Sequence, residues 1–597
     1  MIINEKLQQS NDLLENILLN SGIKDIDLFL QPDNSNDSKL NDFTHLEEAA
    51  KNLLYHMSKC SKITITVDPD ADGYTSSAIL VNFLEDINKN YGTTSEIEFI
   101  MQEGKQHGLN THVLNEINSI EPNLVILPDA GTNDIDELLN LSTMGYEVLV
   151  IDHHEIEKED LIDMIEGVII VNNQRVTDVD KTNKWFTGAG MVYNLIKTVY
   201  GLLETNENKL KSPDYYLDLV ALGQIGDMSD ISDNEIRNIV FKGLENVNNP
   251  FIKSVLEAKG VSLKNVTPQD LSFSIIPIIN AITRIGTEEE KHKLFQAMIT
   301  TEEDNVEQAV MKRKLNKETR KYEQVEFIMP LTDIVADESV KVKTRQDSVV
   351  KKSMTKLDKQ TNNNEGILIY VTDQLESGSI TGLVATKLSR KYDKPCLVLI
   401  PSGDKDSEDY GEYYSGSARG IEKVMDSFKD WCEDSGLFEF ARGHANAFGV
   451  SIHSDHLQTL SKKVLEFDAT PSDTYEVDKK YTRTIVKEDV DDIIKFKYII
   501  GGKVESPLFG FEDITIPKKY LSTRGKTIEF GIGGISFVMW QSPDELIEKL
   551  TQGFNQSIKV SFVGEPFEVN FSGKPQNKVV IKDMEIIEDD EEETFFF

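Results

Sequence analysis

ITITVDPDADGYTSSAILVNFL, Ile63 to Leu84, places Asp68, Asp70 and Asp72 within five positions, at the junction of a β-rich run and a helical one. Like charges this close repel one another, so the cluster is costly unless water or a cation compensates it. A solvated acidic turn is the plainest explanation, but the setting argues for more. KITITV, LVILPD and YEVLVID are short β-rich runs, each followed by a polar or glycine-containing loop and then by helical periodicity. That alternation predicts a parallel sheet with helices on both faces, and open sheets of this kind place their ligands beyond the carboxyl ends of the strands.

Two more strands end in chemistry. LVILPDAGTND delivers Asp129, and VLVIDHHEIE delivers Asp152, His153 and His154. A fourth stretch, LVALGQIGDMSD, sets Asp227 and Asp230 at a glycine-containing turn after an apolar helical run. Hard divalent cations take carboxylate oxygens, and imidazole widens the choice toward manganese and other transition metals. One aspartate after a strand is ordinarily a helix cap, and one buried histidine is ordinarily a satisfied core residue. Four such sites in order are hard to explain as caps, and they make a two-metal site the better reading.

Length and composition set the frame. At 597 residues the chain has room for roughly four domains, each with its own core. The hydrophobic fraction is 39% and no apolar run is long enough to span a bilayer. The opening MIINEKLQQSNDLLENILLNSG has neither a basic n-region nor a signal-like apolar core, so a cytoplasmic protein without a membrane partner is expected. Cys60, Cys396 and Cys432 are scattered and lack metal-ligand spacing, which fits a reducing compartment and argues against a zinc knuckle. A net charge of -39 taken alone counts against nucleic acid, because phosphate binding runs on Lys and Arg. Local distribution tells a different story. VMKRKLNKETRKYEQ, Val310 to Gln324, is basic and helical in pattern, while the acid concentrates at the C-terminus. Such a helix is ordinarily a solvated face and gains meaning beside a nucleic-acid active site.

Residues 1–45 read as an N-terminal helical extension, 46–240 as the alternating α/β region and 241–355 as a helical connector. Lys356 to Gly366 is a polar linker, 366–455 a second α/β unit, 475–582 a region rich in short strands and glycine turns and 583–597 an acidic disordered tail.

DPDADG, PDAG, DHH and GQIGD, in that order, resemble the four motifs of the DHH phosphoesterases. The resemblance implies that Asp70 binds one metal, that Asp72, His153 and Asp227 bind the other, and that Asp129 bridges them. It makes His154, facing the scissile phosphate, and Asp129 the catalytic residues. Asp68 matches the leading aspartate of the RecJ version of the first motif and takes a metal-ligand or supporting role. The cofactor implied is a pair of Mn2+ or Mg2+ ions. The fold class implied is α/β: a DHH-type parallel sheet domain, a helical connector, a DHH-associated domain and a C-terminal OB-like β-barrel.

Three further segments resemble RecJ-type single-strand exonucleases. In SIIPIINAITRIGT the matching positions are Pro277, Asn280 and Arg284, the last two as substrate contacts. YYSGSARG and ARGHANAFGV resemble the DHH-associated domain, where Ser417, Arg419 and His444 would hold the phosphate of the substrate end. The usual paired glycine before that histidine is here Arg442-Gly443, which alters the pocket, though an added Arg suits phosphate. FKYIIGGKVESPLFGFEDITI looks like the start of the oligonucleotide-binding barrel, with Phe509, Phe511, Phe530 and Trp540 as its aromatics. The function implied is a metal-dependent exonuclease on single-stranded DNA, 5′ to 3′, releasing mononucleotides and acting as a monomer in recombination, repair or replication. The alternatives are a phosphodiesterase of short oligonucleotides or cyclic dinucleotides, and a non-catalytic single-strand-binding accessory. The end EIIEDDEEETFFF resembles the tip of single-stranded-DNA-binding proteins, so partners that read such tips through Phe595, Phe596 and Phe597 are expected.

Overall fold

Five parallel strands form the sheet that the alternating pattern predicts: β1 (Lys62–Val67), β2 (Glu96–Met101), β3 (Leu124–Pro128), β4 (Glu147–Asp152) and β5 (Val168–Asn172). Their order across the sheet is β2-β1-β3-β4-β5, the doubly wound arrangement whose switch point lies between β1 and β3. β1, β3 and β4 are buried along nearly their whole length, as strands covered on both faces must be.

Three helices close the crevice beyond the strand ends. α1 (Ala71–Tyr91) starts at Asp70, whose side chain accepts from Gly73 N, and stops at Gly92, where φ is +71°. α2 (Gly188–Leu202) and α3 (Leu217–Gly226) pack against it. α3 is buried from Leu217 to Gln224, which explains its lack of a polar stripe. Close approach depends on glycine. A Cβ at Gly223 would run into the Asp72 carboxylate and the Ala189 methyl, and one at Gly188 into Asp129.

The computed structural model describes residues 1–587 apart from 105, 179, 204–209, 316–319, 362–365, 376–377, 404, 406, 408, 468–473, 502–503, 552–555 and 572–573. The proposed anchors Phe595, Phe596 and Phe597 lie outside the described residues. The chain forms two units, one of Met1–Asn280, Lys291–Asp337 and Thr474–Phe597, the other of Ala281–Glu290 and Glu338–Asp473.

The second unit carries a mixed five-stranded sheet, ordered Phe438–His444, Ala447–His453, Tyr413–Arg419, Cys396–Pro401 and Leu368–Val371. Its Leu368–Val371 and Cys396–Pro401 strands pair in parallel and the others are antiparallel. The C-terminal part of the first unit is a seven-stranded sheet around an aromatic core. Phe509, Phe511 and Phe530 belong to that core, Phe511 stacking on Phe562 with ring centroids 4.7 Å apart, whereas Trp540 is exposed.

Four expectations change. The described parts of the basic segment Val310 to Gln324 are not helical: Glu307–Leu315 and Tyr322–Pro330 pair as antiparallel strands. Lys and Arg favour helices weakly, and nine-residue pairing with a strand containing Tyr322, Val325, Phe327 and Ile328 overrides that preference. The N-terminal extension opens with a strand, Ile2–Glu5, paired in parallel with Thr474–Val477. The C-terminal sheet is not built from short strands alone, since Ser557–Phe571 and Lys574–Ile586 have 15 and 13 residues. The acidic end therefore begins later than 583, because Asp583 to Ile586 still belong to a paired strand.

Candidate metal centre

Asp68 and Asp70 follow β1, Asp129 follows β3, and His153 and His154 follow Asp152 at the end of β4, so the switch point of the sheet collects them. Asp72 sits in the first turn of α1 and Asp227 just beyond α3. His153 Nε2 is the meeting point, lying 3.1 Å from Asp129 Oδ1, 3.7 Å from Asp227 Oδ2 and 3.8 Å from Asp72 Oδ2. Asp68, Asp70 and Asp129 form a second cluster, with one oxygen from each within 4.8 Å of the others. Asp129 thus belongs to both groups. Asp68, Asp70, Asp72, Asp129, His153 and Asp227, all singled out in the sequence, thus lie together in space.

At Asp68, Asp70 and Asp72 the repulsion among the acids is offset by N–H and O–H donors. Asp68 pairs with His107 Nδ1 and accepts from Gly108 N. Asp70 caps α1. Asp72 accepts from Thr187 Oγ1 at 2.7 Å, Gly188 N at 2.6 Å and Ala189 N at 3.1 Å, which seats it on the N-terminus of α2, where the helix dipole favours a carboxylate. Asp70 and Asp72 thus make helix-end hydrogen bonds while belonging to the acidic group. Asp129 is different. It is buried, its backbone is held at φ +63°, and its Oδ1 has no hydrogen-bond donor although His153 Nε2 is near. Burial, reinforced by Asp72, Asp70 and Asp68, raises the Asp129 carboxyl well above its ordinary range. Burial and the Asp72 and Asp70 charges push Asp227 up to about 7. Burial lowers the His153 imidazole, favouring the neutral form that ligates metal.

The donor set fits divalent cations: five carboxylates supply hard oxygens, one imidazole favours its neutral form, and a buried oxygen of Asp129 lacks a hydrogen-bond donor.

Asp152 lies in the same cluster but is already occupied. Its Oδ1 accepts from His153 N, His154 N and His154 Nδ1, and its Oδ2 from Thr132 N. Burial opposes its ionisation, yet the His154 hydrogen bond and charge outweigh burial and hold the carboxyl well below the usual range. The same bond raises His154 to about 9 and leaves its ring exposed, oriented and protonated at neutral pH.

Sequence reasoning gave no role to Asp152, Thr187 or His107. The DHH triplet contained Asp152, but nothing in its spacing separates a ligand from an orienting residue. Thr187 and His107 carry no pattern, since only the fold brings them to Asp72 and Asp68. Asp230, singled out with Asp227, accepts from Ser232 N and Oγ and shapes its own turn.

Ser417, Arg419 and His444 lie in the second unit. Pairing sets Arg419 opposite Ala447 and Ala447 opposite His444, with Ser417 opposite Gly449 and Gly449 opposite Arg442. Partners in register point the same way, so Ser417, Arg419, Arg442 and His444 share one face, floored by Ala447 and Gly449. Arg419 donates to Thr386 Oγ1 at 3.1 Å and to Ala418 O at 2.7 Å, and Ser417 Oγ meets Thr381 Oγ1 at 2.9 Å. Burial and the charge of Arg284 both lower the Arg419 guanidinium, which marks two cations drawn together. Asn280 and Arg284 stand one turn apart on the helix Ile276–Ile285.

The profile of the DHH family, N-terminal domain, matches residues 62–224. Over 599 aligned residues, 98% of each chain, the sequence is 30% identical to YorK of Bacillus subtilis (strain 168), a prophage SPbeta-derived protein provisionally named a single-strand DNA-specific exonuclease. The chain belongs to the DHH family. It is a RecJ-like member: it is 23% identical to the single-stranded-DNA-specific exonuclease RecJ of B. subtilis over 70% of this chain and 47% of RecJ. The fold of this RecJ-like chain is similar to that of RecJ from Thermus thermophilus in complex with Mn2+, with a TM-score of 0.68 at 18% identity, covering 97% of this chain and 76% of that one. No helix among the described residues is long and apolar enough to cross a membrane.

Proposed function

We propose that this RecJ-like chain is a divalent-metal-dependent exonuclease that hydrolyses single-stranded DNA from the 5′ end and releases mononucleotides, in DNA recombination, repair or replication. The observation that carries the reading is the convergence of Asp72, Asp129 and Asp227 on His153, with Asp129 shared by the cluster of Asp68 and Asp70. The names of YorK and RecJ support the substrate class. Asp70 and Asp129 would hold one ion, and Asp72, Asp129, His153 and Asp227 the other, with Asp68 supporting the first. Two Mn2+ or Mg2+ ions so held supply charge neutralisation at the phosphate and an acidified water for in-line attack.

The chain's own groups do the rest. His154, kept protonated by Asp152, donates to a phosphoryl oxygen and stabilises charge as it develops. Asp129 and Asp227 give up protons as cations bind. Ser417, Arg419 and His444 hold the terminal phosphate, and Asn280 and Arg284 contact the DNA backbone. The deciding experiment follows hydrolysis of a long 5′-phosphorylated single strand and of a dinucleotide, each across a Mn2+ and a Mg2+ titration. Stepwise release of mononucleotides from the long strand, abolished by chelation, is expected. Rapid dinucleotide cleavage with the long strand untouched would overturn the reading.

A further inference from the structure

The hairpin of Glu307–Leu315 and Tyr322–Pro330 takes no part in the metal centre, yet it is firmly rooted. Asn305 Nδ2 donates to Thr332 Oγ1 at 2.9 Å, Thr332 N donates back to Asn305 Oδ1 at 3.2 Å, and Ser254 Oγ bonds Thr332 Oγ1 at 3.0 Å. Thr332 is fully buried. Beyond that root the two faces differ. Val310, Lys312, Phe327 and Met329 are half-buried, with Lys312 paired to Asp337. The other face is open. In register it carries Ala309 with Ile328, Met311 with Glu326, Arg313 with Gln324 and Leu315 with Tyr322, and all eight are exposed, Tyr322 at 63% and Ile328 at 70%.

Charge identifies the occupant. Among the described residues of the distal half, Lys312, Arg313, Lys314, Arg320 and Lys321 outnumber Glu323, which stands opposite Lys314, and Glu326, in a chain of net charge -39. Each face carries a cation against a ring, Arg313 over Tyr322 at 5.4 Å on the open face and Lys314 over Phe327 at 5.7 Å on the other. A local group of cations on so acidic a chain attracts polyanions, and ring faces beside them accept bases. A protein partner would call for a continuous apolar patch, but here Met311, Leu315 and Ile328 are divided by Arg313, Gln324 and Glu326.

We propose that the distal strand ends of this hairpin, Arg313 to Leu315 and Arg320 to Tyr322, are a second binding site for single-stranded DNA, Arg313 meeting a phosphate and Tyr322 stacking on a base on the open face, and Lys314 meeting a further phosphate from the other face. The site rests on the nuclease reading for its choice of ligand, so its test is made without cleavage. The full chain in EDTA is titrated against a long labelled single-stranded oligonucleotide over a range of salt, with anisotropy as readout. For Arg313→Ala/Lys314→Ala, affinity should fall about tenfold at about 0.1 M salt, and the slope of log K against log salt should shrink by about 1.4, roughly 0.7 per lost phosphate contact. For Tyr322→Ala, affinity should fall about tenfold with the slope unchanged, because stacking releases no counterion. Thermal melts of both variants in EDTA should match wild type, which reports intact folding. Wild-type affinity and slope in both variants would overturn the site, whatever the nuclease does. If the wild-type chain binds DNA but cleaves none, while both variants lose affinity, the hairpin site stands and the nuclease reading falls.

Discussion

The crevice at the ends of β1, β3 and β4 and the interior of the C-terminal sheet are both buried, for opposite reasons. In the crevice, Asp68, Asp72, Asp129 and Asp152 are sequestered with charges that oppose one another, and Asp129 Oδ1 is left without a donor. In the C-terminal sheet, Phe511, Phe530, Phe537 and Phe562 pack ring against ring, and the hydroxyl of the neighbouring Tyr481 is satisfied by Asp489. One region gives up stability to hold reactive groups, and the other supplies it. Residue identity is therefore dictated by chemistry in the first and by volume in the second.

The sharpest test of that contrast is Asp129→Ala. Cleavage should fall at least a thousandfold, about 4 kcal/mol of lost transition-state stabilisation, while the metal-free protein unfolds at the same temperature or higher. Nuclease rates and thermal melts in EDTA measure the two halves. Cleavage near the wild-type rate would remove Asp129 from the centre, and a large drop in melting temperature would make it structural. Phe511→Ala should do the reverse. Loss of a fully buried ring costs about 3–5 kcal/mol in denaturant unfolding, with dinucleotide hydrolysis per folded molecule unchanged. A greater stability loss from Asp129→Ala than from Phe511→Ala would erase the distinction.

The smallest effect refines it. Asp218, buried in α3, accepts from Leu219 N, Asn248 N and Asn249 N, yet burial outweighs these bonds and lifts its carboxyl to about 6. A carboxyl raised above its unfolded value binds its proton more tightly in the folded state. Its contribution is therefore fully present below about pH 4 and is lost as pH rises through 6, by about 3 kcal/mol in all. Unfolding free energies of the metal-free chain between pH 4 and 7 should show that decline in wild type and a flatter course in Asp218→Asn. Parallel curves would mean that Asp218 does not titrate in this window.

The same contrast explains what could be read from sequence. The parallel sheet was legible because KITITV, LVILPD and YEVLVID alternate with helical periodicity, and the centre was legible because metal chemistry permits few residue types at strand ends. The groups that orient the ligands were not legible. Thr187 reaches Asp72 across 115 positions and His107 reaches Asp68 across 39, distances over which no local period extends. The hairpin was misread for a related reason. Met311, Arg313 and Leu315 alternate with Lys312 and Lys314, but Lys and Arg suit a helix as readily, and the pairing strand that decides between them lies beyond the basic run.

The strand Ile2–Glu5 has a consequence for the way the chain is made. Its hydrogen-bonding partner, Thr474–Val477, leaves the ribosome about 470 residues later, roughly 25–95 s at ordinary elongation rates. During that interval Ile3 and Ile17, which end up among the residues of the last-made sheet, have nowhere to bury. The β1–β5 sheet can assemble in the meantime, because all its strands lie within Lys62–Asn172. The metal crevice should thus form early, while Ile2–Glu5 is still unpaired, and that strand is captured only once Thr474–Val477 has been made.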